Sequence, residues 1–173
     1  MKRMNKELKR VYIIGTAGSG KSFLAKRISE KLDIPCYDLD DIFWYKKYTK
    51  KTNKAKRKKT LARIANKSNW IIEGVYSSWT EQALRKANIV IILDIHIVKL
   101  TWRILKRYLS KHNSIHKESL KDVIFLINYA HSYKKGTHSS SYNQHIALVK
   151  KHKRKYIILK NVKQVNSFLN KIK

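Results

Sequence analysis

The chain is short of cysteine, proline, glycine and acids, and each shortage narrows what it can be. Cys36 is the only cysteine in 173 residues. That excludes an intramolecular disulfide and any cysteine-built metal site, and a reduced, cytoplasmic setting is expected. One proline and five glycines leave no Pro- or Gly-rich linker, and no internal repeat is visible. Residues 1–173 are therefore expected to form one domain, long enough for one substantial core. No apolar run approaches the roughly 18 residues of a membrane span. The basic start, MKRMNKELKR, is followed by no signal-peptide core. Neither a span nor a membrane partner is expected.

Acids number 11 against 40 Lys and Arg, a formal charge of +29, yet a hydrophobic content of 43% argues against disorder. A surface this basic attracts nucleic acid, acidic membranes or phosphorylated ligands. Compositional drift is the other reading, because lysine dominates the cations and Ile and Asn are also abundant. The densest cluster, KKYTKKTNKAKRKK at 46–59, is the segment suited to a nucleic-acid backbone.

Apolar patterning alternates between two periods. Short runs rich in β-branched residues, VYIIG (11–15), IPCYDL (34–39), WIIEG (70–74), IVIILDI (89–95) and KYIILK (155–160), read as strands. Between them, residues 21–32, 56–68, 78–87, 99–109, 117–133 and 165–172 carry helical spacing. About five alternations predict an α/β fold, a parallel sheet with helices on both faces. Residues 111–150 hold no strand candidate and read as a mobile helical excursion between the fourth and fifth strands. The seven histidines read as surface groups.

The first strand runs straight into GTAGSGKS. Gly15, Gly20, Lys21 and Ser22 satisfy G-x-x-x-x-G-K-[ST], with Thr16, Ala17, Gly18 and Ser19 as the loop between. Glycines let such a loop curl so that backbone N–H groups face phosphate oxygens at a helix N-terminus. In this pattern Lys21 reaches the β- and γ-phosphates and the Ser22 hydroxyl ligates Mg²⁺. The strand before and the amphipathic helix after it are the context the motif requires. Nucleoside triphosphate binding is expected.

With that loop in place, the chain resembles the small P-loop kinases of the adenylate kinase and shikimate kinase group. Within it, YDLDDIFW, WIIEGVY and IVIILD followed by RILKR resemble the adenylate-kinase-like bacterial DNA topology modulation proteins, over residues 11–107. The resemblance implies a three-layer P-loop NTPase fold with a five-stranded parallel sheet and a helical lid at about 108–150. It also implies phosphoryl transfer from Mg·ATP to a small acceptor, such as a nucleoside monophosphate.

Ligands of parallel α/β sheets bind beyond the carboxyl ends of the strands. Asp38, Asp40, Asp41, Glu73 and Asp94 fall at that edge, nearly half of all the acids. Acids there hold Mg²⁺ or accept a proton from an attacking hydroxyl. The Asp38-x-Asp40 pair resembles the D-x-D of shikimate-type kinases, which implies Asp38 near Mg²⁺ and Asp40 near the acceptor hydroxyl as base. Capping of a short helix at Ile42 by Asp40 or Asp41 is the structural alternative. Glu73 stands where many relatives carry Asp, a further metal candidate, while Asp94 either contacts the site or stabilises a turn. Phe43 and Trp44 either stack on an acceptor ring or join the core. Arg103 and Arg107 share one helix face. The resemblance to adenylate kinases implies one on adenine and one on phosphate, with Arg107 joining Lys21 and Asp40 as catalytic groups. Adenylate-type lids add further arginines, but residues 108–153 contain none, leaving Lys134 and Lys135 beside Gly136 to take their place.

Overall fold

The computed structural model describes residues 8–46, 49–110, 119–136 and 140–172. Its strands are β1 (Arg10–Ile14), β2 (Cys36–Asp38), β3 (Trp44–Lys46), β4 (Lys50–Lys51), β5 (Trp70–Gly74), β6 (Ile89–Leu93) and β7 (Tyr156–Leu159). Its helices are α1 (Lys21–Leu32), α2 (Leu39–Phe43), α3 (Lys54–Ala65), α4 (Glu81–Lys86), α5 (Ile97–Ser110), α6 (Leu120–Lys135), α7 (Tyr142–Lys151) and α8 (Val162–Asn170).

Five strands form one sheet in the order β2-β5-β1-β6-β7, every neighbouring pair parallel. Its central strands are apolar on both faces because both faces are covered. Val11, Ile13, Ile71 and Ile91 pack with Leu24 and Ile28 of α1 and Phe168 of α8. Tyr12, Ile14, Ile72 and Ile92 pack with Leu61 and Ile64 of α3 and Leu84 of α4. The continuous hydrophobic runs and the three layers thus have one cause.

Two local readings are corrected and two gain detail. The basic segment 46–59 spans two elements: its start belongs to a small antiparallel hairpin, β3–β4. Its remainder is α3, capped by Asn53, whose side chain accepts from Ala55 N at 2.8 Å. Helix α2 begins at Leu39, not Ile42, and its cap is Asp38, accepting from Asp40 N, not Asp40 or Asp41. The expected excursion is two helices, α6 and α7, set into the body through buried Ala130, Tyr133 and Val149; residues 111–118 and 137–139 of it lie outside the described residues. His145 is fully buried rather than at the surface.

Strand β5 ends on a glycine for a steric reason. A Cβ on Gly74 would sit 2.7 Å from both Cβ and Cδ1 of Leu39, the first residue of α2. Gly74→Ala is therefore expected to lower stability by about 1–3 kcal/mol. Chemical denaturation checks this, and a double variant Gly74→Ala/Leu39→Ala less destabilised than the sum of the two single variants would show that the contact is the cause.

Candidate active site

Loop 15–20 leaves β1 and enters α1 with Gly18 at φ +73° and Gly20 at φ +94°, values that favour glycine. The loop closes tightly. A Cβ on Gly15 would meet Ser19 Oγ at 2.7 Å, and one on Gly18 would meet the Leu100 carbonyl oxygen of α5 at 2.9 Å. Gly20 occupies the N-cap of α1 and brings no side-chain cap, so the helix end keeps its positive pole open. Thr16 Oγ1 and Ser19 Oγ are buried without a hydrogen-bond partner among the described residues. Such orphaned hydroxyls fit a polar ligand in the cradle.

Lys21 Nζ donates to the Thr16 carbonyl at 3.2 Å and lies 4.0 Å from Glu73 Oε2. Ser22 Oγ donates to Glu73 Oε1 at 2.5 Å. Register places Asp38 of β2 directly opposite Glu73 of β5. Ser22, Asp38 and Glu73, the three expected metal ligands, are thus brought to one spot. Their oxygen-only donor set suits a hard divalent cation, although no group of three or more His, Cys, Asp and Glu gathers among the described residues. Glu73 is only 3% exposed. Burial, then the charge of Glu73, pushes the Asp38 carboxyl up to about 6.

Arg103 braces the loop, its Nη1 donating to the carbonyls of Gly18 at 3.2 Å and Ser19 at 3.1 Å. It also borders a cavity of about 530 Å³ together with Ser19, Gly20, Phe23, Val162 and Asn166. Arg107 lies one turn further along α5, half-buried. Lys134 of α6 pairs with Asp94 at the end of β6, so that acid anchors the helical excursion. Lys135 is exposed.

Asp40 meets a group that sequence reasoning missed. Its Oδ1 accepts from Tyr76 Oη at 2.7 Å, and Tyr76 stacks on Phe43 with ring centroids 4.6 Å apart. Trp79 completes the aromatic cluster, 5.5 Å from Tyr76. The Arg57 guanidinium covers it, 4.5 Å from the Phe43 ring and 5.6 Å from Trp79. Arg57 Nε and Trp79 Nε1 are both buried donors without a partner among the described residues. Tyr129 of α6 faces the same acid: burial, then Asp40, pushes its phenol up to about 12. Asp41 and Trp44 turn elsewhere, to a cavity of about 490 Å³ at the sheet edge that Asp38 and Arg63 also line. The only advance signal for Arg57 was its being the first arginine of α3; its basic neighbours concealed it.

No protein-family model matches the chain. The uncharacterized protein YqaC of Bacillus subtilis (strain 168) is 30% identical over 105 residues, which is 58% of this chain and 59% of that protein. The chain thus matches under two thirds of that relative. A shikimate kinase from Bacteroides thetaiotaomicron superposes with a TM-score of 0.59 at 16% identity, covering 94% of each chain. One from Acinetobacter baumannii in complex with shikimate gives 0.58 at 14% identity, over 99% of this chain and 94% of that one. An uncharacterized protein from Eubacterium ventriosum gives 0.55 at 15% identity, over 95% and 96%. The fold is the one these shikimate kinases have.

In that fold the Asp38–Glu73 pair carries a pH signature. A carboxyl whose folded pKa lies above its unfolded value costs stability wherever it is ionised. The cost is present above about pH 6 and disappears as pH falls from there toward the ordinary carboxyl value of 3.8. Asp38→Asn keeps an N-cap acceptor. In metal-free buffer it is expected to gain about 1 kcal/mol at pH 7, discounted for partial solvent screening. Thermal melts checking this should show Tm rising by about 2–4 °C at pH 7 and the gain shrinking by pH 5.

Proposed function

We propose that this protein is an ATP-dependent phosphotransferase acting on a small acceptor that carries both a hydroxyl and an anionic group. The observation that carries the reading is the convergence of Lys21, Ser22 and Glu73 beside a loop whose buried hydroxyls lack partners. Triphosphate on loop 15–20 would lie against the α1 N-terminus, with Lys21 at its β- and γ-oxygens. Ser22, Asp38 and Glu73 would hold Mg²⁺, which when bound supplies charge neutralisation at the phosphates. The cavity beside Arg103, Phe23 and Asn166 suits the nucleoside, with a guanidinium plane available to the base. Arg107 would add charge from the same helix.

On the acceptor side, Asp40 would take the proton of the attacking hydroxyl as the new P–O bond forms and the β,γ-bridging oxygen leaves with its electron pair. Tyr76 orients that carboxylate through Oδ1 and leaves Oδ2 for the acceptor. The orphaned donors of Arg57 and Trp79 support an anionic substituent on the acceptor; a nucleoside monophosphate meets both demands. The resemblance of YDLDDIFW and WIIEGVY to motifs of the adenylate-kinase-like DNA topology modulation proteins supports the same class. Nucleic acid is the second reading, resting on Lys50, Lys51, Lys54, Lys56, Lys58 and Lys59, all exposed around the buried Arg57.

The deciding experiment is an acceptor screen with labelled ATP, beside ATP binding by calorimetry. Lys21→Ala is expected to abolish ATP binding or turnover with an unchanged melt; wild-type affinity and rate would overturn the assignment. DNA affinity that collapses with salt and depends on 46–59 would favour the second reading.

Asp40→Asn separates chemistry from binding. ATP affinity should stay near wild type, because the phosphate contacts lie on loop 15–20. Turnover should fall by about 10²–10⁴-fold, since Asn accepts no proton. Single-turnover phosphoryl transfer measures it, and a wild-type rate would remove the base role from Asp40.

A further inference from the structure

Helices α5 and α6 carry large apolar side chains on their outer faces. On α5, Val98, Trp102 and Leu109 are 65–67% exposed and Leu105 38%. Their i, i+4, i+7, i+11 spacing makes one stripe, set opposite the buried Leu100 and Ile104. On α6, Leu120, Ile124 and Phe125 are each 58% exposed or more. The two helices pack together, and a shallow groove of about 310 Å³ runs between them, lined by Val98, Trp102, Leu105 and His131. Large apolar patches of this kind mark interaction surfaces.

Exposed lysines frame the patch: Lys99 and Lys106 on α5, Lys121 and Lys135 on α6. Asp122 is the single acid on these two helices, and its carboxylate accepts from Ser119 in the N-terminal capping box. Trp, Ile and Leu set among lysines on a helix surface is the chemistry of peripheral binding at a lipid interface. We propose that the α5–α6 face docks on an anionic phospholipid surface, with Trp102, Leu109 and Ile124 entering the headgroup region and the four lysines meeting lipid phosphates. It would be a peripheral contact, not a span, and it departs from the sequence expectation of no membrane partner.

Charge selects this occupant over others. A second copy would bring another +29 and set lysines against lysines around the stripe. Nucleic acid complements the charge but offers no continuous apolar layer to cover seven exposed side chains. The cations are distributed along the chain, which suits an extended, uniform negative surface. Docking also leaves the phosphate loop accessible, because Arg103 leaves α5 on another side to reach Gly18 and Ser19.

Vesicle flotation tests this with the full chain on phosphatidylglycerol/phosphatidylcholine vesicles and on phosphatidylcholine alone. Binding is expected only to the former. About 1 M salt shortens the Debye length to near 3 Å, and a residual fraction should persist there through apolar insertion. Brominated acyl chains should quench tryptophan emission in the wild type and much less in Trp102→Phe. Leu109→Ser/Ile124→Ser, both at exposed positions, should melt like wild type and bind at least tenfold more weakly in high salt. Undiminished binding by that variant overturns the proposal, as does wild-type binding that vanishes with salt and shows no quenching. A dimer in light scattering that the same variant dissociates, with no partition to vesicles, would assign the face to a second copy and also overturn it.

Discussion

Parallel register is the constraint on which the site depends. β1 and β5 pair with Ile14 opposite Gly74, and β2 pairs with β5 so that Asp38 stands opposite Glu73. All these strands end at one edge, so whatever follows them converges there: the glycine loop after β1, the acid turn after β2, and Glu73 inside β5. A slip of one residue would turn Glu73 to the other face of the sheet and remove it from Ser22. Burial on both faces enforces the register, since Ile13, Ile71, Tyr12 and Ile72 have no exposed alternative. Gly74 belongs to the same constraint, because α2 can cross the end of β5 only where no side chain intervenes.

The helical excursion is drawn into that edge by polar groups, not only by apolar contact. Lys134 reaches Asp94, Ser140 Oγ lies 3.1 Å from Ser77 Oγ, and Tyr133 Oη lies 3.3 Å from His145 Nδ1. Burial holds the His145 imidazole at about 4, neutral at physiological pH, so it forms this contact without bringing a charge into the core. The turn after β5 is fixed from below, where the Tyr76 carbonyl accepts from Tyr12 Oη at 3.3 Å and from Thr80 Oγ1 at 2.7 Å. Tyr76 is therefore held at backbone and ring, which aims its hydroxyl at Asp40, and preorganisation of that kind is what a positioned carboxylate needs.

Charge is used in two ways. Most cations among the described residues are exposed and contribute a diffuse field. Arg57 and Arg103 do something local: one lies over the aromatic cluster, the other ties loop carbonyls to α5. A planar guanidinium suits both tasks, whereas lysine, far commoner here, supplies only a mobile point charge.

Much of this was legible from local pattern. The strands at 70–74 and 89–93 and the helix at 21–32 declare themselves through apolar period, and GTAGSGKS declares its loop because a phosphate cradle needs those residues in that order. Nothing local distinguishes Arg57 from its basic neighbours, His145 from the surface histidines, or the cap at Asp38 from one at Asp40. Those assignments rest on contacts between distant segments: Asp40 and Tyr76 are 36 residues apart, and Ser22 and Glu73 are 51. The same holds for the α5 stripe, where apolar spacing predicts a buried face but packing covers only Leu100 and Ile104. The amino-acid sequence by itself determined the elements and the phosphate loop, because periodicity and backbone freedom act over a few residues. Only tertiary structure decided which acids face which partners and which apolar side chains stay in water, because burial is a property of the assembled layers.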